Sequence, residues 1–322
     1  MLSEKNPENG HFATTEEFMK KSTIVLAVVL NVLVPSVIPM TAEDLRLDAP
    51  QARELVALVT DAAALVTAQG AEGACAELRR PGSRWLEGER YVFVIGFDGT
   101  AICHPARPSL DGESLLELHD PDGRPIMRNM LRELAAGDGD GWVHYLWPRP
   151  GQGKTLDTVL VWKSTYIRRA EAPDGKPYVV GSGLYQMPME RAFVVEQVDD
   201  AVALIEAQGR DAFPLLRDPT GGFRFLDAYI FVIQGSGKDT GLCPVNVAFP
   251  QLEGQNILDL KDGEGKPMVR EMIEVLKARD AAWIEYLWPR PGETLPREKS
   301  SYVRRVYLDG EMLVVGAGVY FE

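Results

Sequence analysis

Apolar residues change their spacing several times along the chain, and each change marks an element. Leu55, Val56, Leu58, Val59, Ala62, Leu65 and Val66 lie on one stripe at helical spacing, which predicts an opening helix. Residues 91–97 and 100–104 read as strands on either side of Asp98-Gly99. That pair is a hairpin turn, because glycine accepts the positive φ that a tight turn needs. After a loop rich in Gly and Pro, residues 126–136 return to helical spacing. Residues 142–147, 159–169 and 178–185 then read as three strands, the last two joined across Pro173-Asp174-Gly175. The predicted order is helix, two strands, helix, three strands.

The same pattern comes round again. Tyr145-Leu146-Trp147-Pro148-Arg149-Pro150-Gly151 reappears unchanged as Tyr286-Leu287-Trp288-Pro289-Arg290-Pro291-Gly292. Around this anchor Tyr91-Val92-Phe93-Val94-Ile95 pairs with Tyr229-Ile230-Phe231-Val232-Ile233, and Lys163-Ser164-Thr165-Tyr166 with Lys299-Ser300-Ser301-Tyr302. Gly181-Ser182-Gly183-Leu184-Tyr185 matches Gly316-Ala317-Gly318-Val319-Tyr320, and Phe193, Val194, Val198, Val202, Leu204 and Ile205 supply a second opening helix. Two copies of roughly 135 residues suit two domains, at residues 43–187 and 188–322, rather than a solenoid of shorter units. Short antiparallel connections with helices set apart from the strands predict an α+β fold. Each copy is expected to be an antiparallel five-stranded sheet with an N-terminal helix and a short helix.

Ahead of the first copy, residues 24–38 form an apolar run interrupted by Asn31 and Pro35, preceded by Lys20 and Lys21 and followed by Pro39-Met40-Thr41-Ala42. This is the layout of a secretory signal. The run falls short of the roughly 20 residues of a comfortable membrane helix. A signal peptide over 1–42, cut after Ala42, is therefore expected, with an uncleaved membrane anchor as the alternative. Glu4, Glu8, Glu16 and Glu17 do not suit a positively charged leader, which points to Met19 as a start. The expected location is the periplasm, and no later segment has 18 consecutive apolar residues.

Charge narrows the partners. Lys and Arg number 34 against 47 Asp and Glu, a net charge of -13, which excludes a surface built to neutralise nucleic-acid phosphates. Cys75, Cys103 and Cys243 are too few and too scattered for a disulfide framework or a zinc site. Cys103 and Cys243 are read at matching repeat positions, and all three thiols as small apolar residues.

Both copies resemble the single Cache domain, the PAS-like extracytoplasmic sensor module, in a strand ending Tyr-x-Trp-x-x-Pro-Gly, a later Lys-x-x-Tyr and a closing Gly-x-Gly-x-Tyr. The resemblance covers residues 47–321 and implies two tandem PAS-like domains. It implies a pocket on one face of each sheet for a small organic acid or similar metabolite, in a protein of sensory type. No signalling helix follows Tyr320 before Glu322, so no output domain of its own is expected. Copy one keeps the family's His104-Pro105, where copy two reads Cys243-Pro244-Val245-Asn246, which makes copy two the weaker binding candidate.

Strand alternation puts Val143, Tyr145 and Trp147 on one face and Trp142, His144 and Leu146 on the other, and Ile284, Tyr286 and Trp288 repeat the first set. Aromatic walls with polar tips are what small-molecule pockets are made of, and they equally make a core. Lys163 and Lys299 begin a strand expected to be well covered, where an ammonium is expensive unless an anion meets it. A rim lysine paired to a carboxylate is the plain alternative. Tyr166 and Tyr302 follow three residues later, which strict alternation sends to the opposite face unless a bulge intervenes. His104 is either a ligand donor or a structural histidine. The candidate binding residues are thus His104, Tyr145, Trp147, Lys163, Tyr166, Tyr286, Trp288, Lys299 and Tyr302, with a small carboxylate or related metabolite as partner and no cofactor.

Catalysis needs a nucleophile with its base, a metal cluster or a phosphate loop, and His11, His104, His119 and His144 show no ligand spacing. A non-enzymatic binding protein is expected. The rival is a periplasmic interaction or scaffold protein that binds a membrane receptor or another periplasmic protein.

Overall fold

The computed structural model describes residues 37–38, 47, 49–136, 138–151 and 160–321. The expected leader over 1–42 lies outside the described residues apart from Val37 and Ile38. Helix α1 spans Pro50–Leu78 and opens on proline, whose missing N–H costs nothing at a helix start. Its stripe of Leu55, Leu58, Val59, Ala62 and Val66 is buried, so a helix long and apolar enough to cross a bilayer is here packed against a sheet. Gly70, at φ 76°, breaks its path.

The first sheet is built from Phe93–Gly96 (β4), Ala101–Cys103 (β5), Asp140–Pro148 (β6), Leu160–Glu171 (β7) and Pro177–Tyr185 (β8). It is antiparallel throughout, in the order β5-β4-β8-β7-β6. Leu86–Glu87 (β2) and Arg90–Tyr91 (β3) make a small separate ladder, so the predicted strand over 91–97 is divided, with Tyr91 outside the main sheet. One face packs on α1 through Val92, Val94, Ala170 and Val180. The other packs Phe93, Ile95, Tyr145 and Ile167 under helix α2, Ile126–Ala136, with Leu115 from the loop before it.

The second sheet repeats the first. Phe231–Gln234 (β11), Val245–Asn246 (β12), Ala281–Pro289 (β13), Pro296–Leu308 (β14) and Glu311–Tyr320 (β15) run in the order β12-β11-β15-β14-β13. Val37–Ile38 (β1) adds a short strand at the free edge of β13. Arg224–Phe225 (β9) and Ala228–Tyr229 (β10) echo the small ladder of copy one. Arg191–Gln208 (α3) and Ala212–Arg217 (α4) cover one face, and Met268–Ala278 (α5) the other.

Each copy has its own five-stranded sheet, and among the described residues no strand runs through both. They meet where Phe193 in the first turn of α3 and Phe225 of β9 pack against Trp142, Tyr166 and His144 on the back of the first sheet. Phe225 stacks on His144 with ring centroids 3.8 Å apart. The Glu190 carboxylate before α3 accepts from the Ala49 N–H before α1 at 3.1 Å, tying the two opening helices together.

Candidate functional site

Lys163 on β7 lies opposite Tyr145 on β6 and Tyr185 on β8. The period of two places Thr165 and Ile167 on the same face, beneath α2. Lys163 is 0% exposed, and its Nζ donates to the Tyr91 hydroxyl at 2.8 Å. The ammonium sits 4.1 Å from the Tyr91 ring centroid, 5.2 Å from that of Tyr185 and 5.9 Å from that of Phe93, so three aromatic rings surround it. No carboxylate among the described residues pairs with it. Burial, with a further push from the Arg107 guanidinium, brings its pKa down to about 7.

The space for that side chain comes from a glycine. A Cβ on Gly183 would stand 2.5 Å from Lys163 Cε and 2.6 Å from Thr165 Oγ1. The other glycine of the motif, Gly181, makes room for the Phe93 ring, whose Cζ would be 2.4 Å from an added Cβ. The alternating glycines therefore face side chains of their own sheet, and one of those side chains is the lysine.

His104 follows β5 and is buried, its backbone N–H held by Asp111 Oδ1 at 2.8 Å. Its ring centroid is 5.0 Å from that of Tyr91 and 6.2 Å from that of Trp147. Burial and then the nearby Lys163 charge push the imidazole down to about 3, so the ring is neutral at physiological pH. Its Nδ1 has no hydrogen-bond partner among the described residues. Arg107 lies over the Trp147 ring at 5.2 Å, and Thr165 Oγ1 donates to the Tyr145 hydroxyl at 2.9 Å. Against His104, Tyr145 and Trp147 about 20 Å³ of free space remains, closed over by Leu110, Leu115 and Leu118 from the loop and by Met127 and Met130 of α2.

Copy two rebuilds the lysine box. Lys299 is 1% exposed, donates to the Tyr229 hydroxyl at 3.0 Å, and lies 4.1 Å from the Tyr229 ring, 5.0 Å from Tyr320 and 5.9 Å from Phe231. Burial lowers its pKa to about 7, with Asp227 pulling the other way. Tyr286 and Ser301 hydroxyls are 2.9 Å apart. Phe249 stacks edge-on against Trp288 at 5.6 Å, in the place where copy one has Arg107 over Trp147.

The Cache domain family model matches residues 75–190 and 205–322. The chain belongs to the Cache domain family. It is 34% identical over 122 residues to the methyl-accepting chemotaxis protein McpP of Pseudomonas putida, covering 38% of this chain and 19% of that protein. It is 32% identical over 96 residues to the sensor histidine kinase MctS of Rhizobium johnstonii, covering 30% of this chain and 18% of that one. The chain thus spans about a fifth of the length of these relatives. Among solved structures it is similar to a periplasmic sensor domain of a chemotaxis protein, at 33% identity and a TM-score of 0.36 over 42% of this chain and 96% of that one. It is also similar to a Cache chemosensory domain described for carboxylic acid recognition, at 25% identity and a TM-score of 0.36 over 46% of this chain and all of that one, 100%.

Within the two Cache copies the structure gathers His104, Tyr145, Trp147 and Lys163 at one place and Tyr286, Trp288 and Lys299 at the corresponding one. Tyr166 and Tyr302 are not part of either. The β6–β7 ladder runs without a bulge, pairing Lys163 with Tyr145 and Tyr166 with Trp142, so Tyr166 points to the back of the sheet. There it packs on Trp142 at 5.3 Å and lines a cavity of about 630 Å³ between the copies, near Glu133, Glu196 and Asp200. Tyr302 likewise packs on Trp283, at 5.4 Å. A neighbouring cavity of about 410 Å³, lined by Trp142, Phe193, Phe225 and the carboxylates of the same group, contains none of the predicted site residues.

The matching of cysteines also changes. Val94 pairs with Cys103 and Val232 with Val245, while Asp111 holds the His104 N–H as Glu253 holds that of Asn246. The counterpart of His104 is therefore Asn246, that of Cys103 is Val245, and Cys243 is not equivalent to either. Tyr91, Tyr185, Tyr229 and Tyr320 were missing from the candidates although each sits in a repeated segment, and that pairing was their signal. Arg107 carries no such signal, because Phe249 stands at its place in copy two.

Proposed function

We propose that this chain is an exported, non-catalytic binding protein of the sensory type, with a leader over 1–42 and Cache domains over 43–187 and 188–322, that captures a small carboxylate in copy one. Lys163 supplies the charge, His104 and the Tyr91 and Tyr145 hydroxyls surround the ligand oxygens, and Trp147 forms an apolar wall. Arg107 adds a second cation at the mouth.

The observation that carries this reading is Lys163, fully buried among three rings with no carboxylate partner among the described residues. An ammonium so placed is costly, and an anionic ligand offsets that cost with a charge-assisted hydrogen bond. The free space of about 20 Å³ against His104, Tyr145 and Trp147 holds little more than one water and is not lined by Lys163, so a small ligand reaches the ammonium as the loop carrying Leu110 and Leu115 lifts. Apolar side chains on that loop favour a short aliphatic tail over a second charge. Copy two retains the lysine but replaces Arg107 with Phe249 and His104 with Asn246, which supports weaker anion binding there. The bound state is read by a membrane receptor or another periplasmic protein.

The test is a thermal-shift panel of short-chain carboxylates on the whole chain, followed by calorimetry with Lys163→Met. The variant keeps the buried volume apolar, so the fold survives, and affinity falls by about ten- to a hundredfold, the worth of one charge-assisted hydrogen bond. Unchanged affinity removes the carboxylate from this pocket.

A further inference from the structure

Two cysteines that lie far apart in the sequence meet in the first copy. Cys75 is in the last turn of α1 and Cys103 ends β5, and they are 6% and 0% exposed. The Cys103 thiol lies 4.0 Å from the Cys75 carbonyl oxygen, and both side chains belong to one packed cluster with Ala71, Leu78 and Val94. We propose that Cys75 and Cys103 are a disulfide-forming pair that staples the end of α1 to β5 when the chain meets a disulfide oxidant.

The surroundings divide the roles. Arg79, one turn beyond Cys75, donates to the Ile102 carbonyl at 3.3 Å and pairs with Asp111, which sets its guanidinium beside Cys103. The neighbouring Cys75 side chain and, against burial, the Arg79 charge lower the Cys103 thiol, while Cys75 is raised. Cys103, with the Arg79 guanidinium set beside it, is the thiol that attacks first. It displaces one sulfur of the oxidant's disulfide, leaving as a thiolate, and forms a mixed disulfide. The departing thiolate takes the proton of Cys75, whose sulfur then attacks Cys103 and releases the second thiol. The protein loses two electrons and two protons, and the oxidant gains them.

The pair belongs to copy one alone, since Val245 fills the place of Cys103 in the second sheet. It also touches the ligand site. Cys103 is followed directly by His104, and Asp111 holds both Arg79 and the His104 N–H. Oxidation therefore fixes the wall from which His104 projects. Cys243 is buried in the other copy, against the Val245 carbonyl, and takes no part.

The test uses the whole chain purified reduced, exposed to oxidised glutathione, then denatured, alkylated and weighed. It needs neither ligand nor export, so its outcome is independent of the function proposed above. The expected result is alkylation of Cys243 alone, a loss of about 2 Da before alkylation and a linked Cys75–Cys103 peptide. The unfolding midpoint rises by several degrees, reverts with dithiothreitol, and does not rise in Cys103→Ser. Three alkylated cysteines, a bridge through Cys243 or a glutathione adduct that persists on Cys103 would each overturn the proposal.

Discussion

Gly183 and Lys163 are fitted to each other: a methyl group on the glycine would occupy the space of the lysine's Cε, 2.5 Å away. The same holds for Gly318 and Lys299, at 2.7 Å. A buried lysine next to a glycine on the neighbouring strand, twice in one chain, ties two parts of the repeated motif into one device. Gly183→Ala should therefore act on the ligand site as well as on the fold. Overpacking costs about 1–3 kcal/mol of stability, and the displaced ammonium weakens carboxylate binding. Chemical denaturation and calorimetry on the same preparation check both, and full affinity in a folded Gly183→Ala would break the link.

The lowered pKa of Lys163 sets a pH dependence. In the folded, ligand-free protein the lysine loses its proton near pH 7, whereas unfolded it keeps it to about 10.4. An anion recruits the protonated form, so binding above pH 7 takes up a proton and affinity falls by up to about tenfold per pH unit. Calorimetry at pH 8 in buffers of different ionisation enthalpy should show this uptake, and it should vanish near pH 6. Without ligand the sign reverses: the unfolded chain binds more protons between pH 7 and 10, so both lysines make the fold more stable as pH rises through that window.

Arg107 distinguishes the copies. Arg107→Leu should reduce carboxylate affinity by about tenfold, the worth of a half-buried charge-assisted contact. Lys299→Ala should change the affinity of the stronger site little. Titration of both variants gives the comparison, and equal losses would mean that the two copies bind alike.

Tyr166 provides a control on the sheet face. Tyr166→Phe should leave carboxylate affinity unchanged, because its hydroxyl lies behind the sheet. A loss of binding comparable to that of Lys163→Met would contradict the register seen between β6 and β7.

Where the copies meet, Glu133 on α2 faces Glu196 and Asp200 on α3, with Arg132, Asp140 and Asp199 around them. Burial raises all three carboxyl groups, and repulsion from Glu133 raises Glu196 and Asp200 further, Asp200 to about 7. Raised acids hold protons in the folded state that the unfolded chain has already released, so their contribution is complete at low pH and is lost as pH rises toward 7. Glu196→Gln keeps an oxygen for the Trp142 N–H, which Glu196 accepts at 3.1 Å, and removes one charge. Melting curves from pH 5 to 8 should show a flatter decline in the variant and a higher midpoint at pH 8.

Much of this molecule was legible from one sequence because the signals were local. The helix over 126–136 and the strands around Tyr145 and Lys163 follow from spacing alone, as does the sharing of one face by Val143, Tyr145 and Trp147. The duplication added the lysines, since a cation repeated in a covered strand is hard to explain as chance. Strict alternation set Tyr166 and Lys163 on opposite faces, but only the unbulged ladder removed Tyr166 from the candidates, because a bulge cannot be read from spacing. What only the tertiary structure decided is who meets whom across long separations. Tyr91 reaches Lys163 from 72 residues away, Arg107 reaches Trp147 from a loop with no repeating period, and Cys75 reaches Cys103 once α1 docks on the sheet. Spacing along a strand fixes the face of each side chain, but neighbours across strands and layers depend on register and packing, which the chain acquires only when its distant segments bury one another's apolar surface.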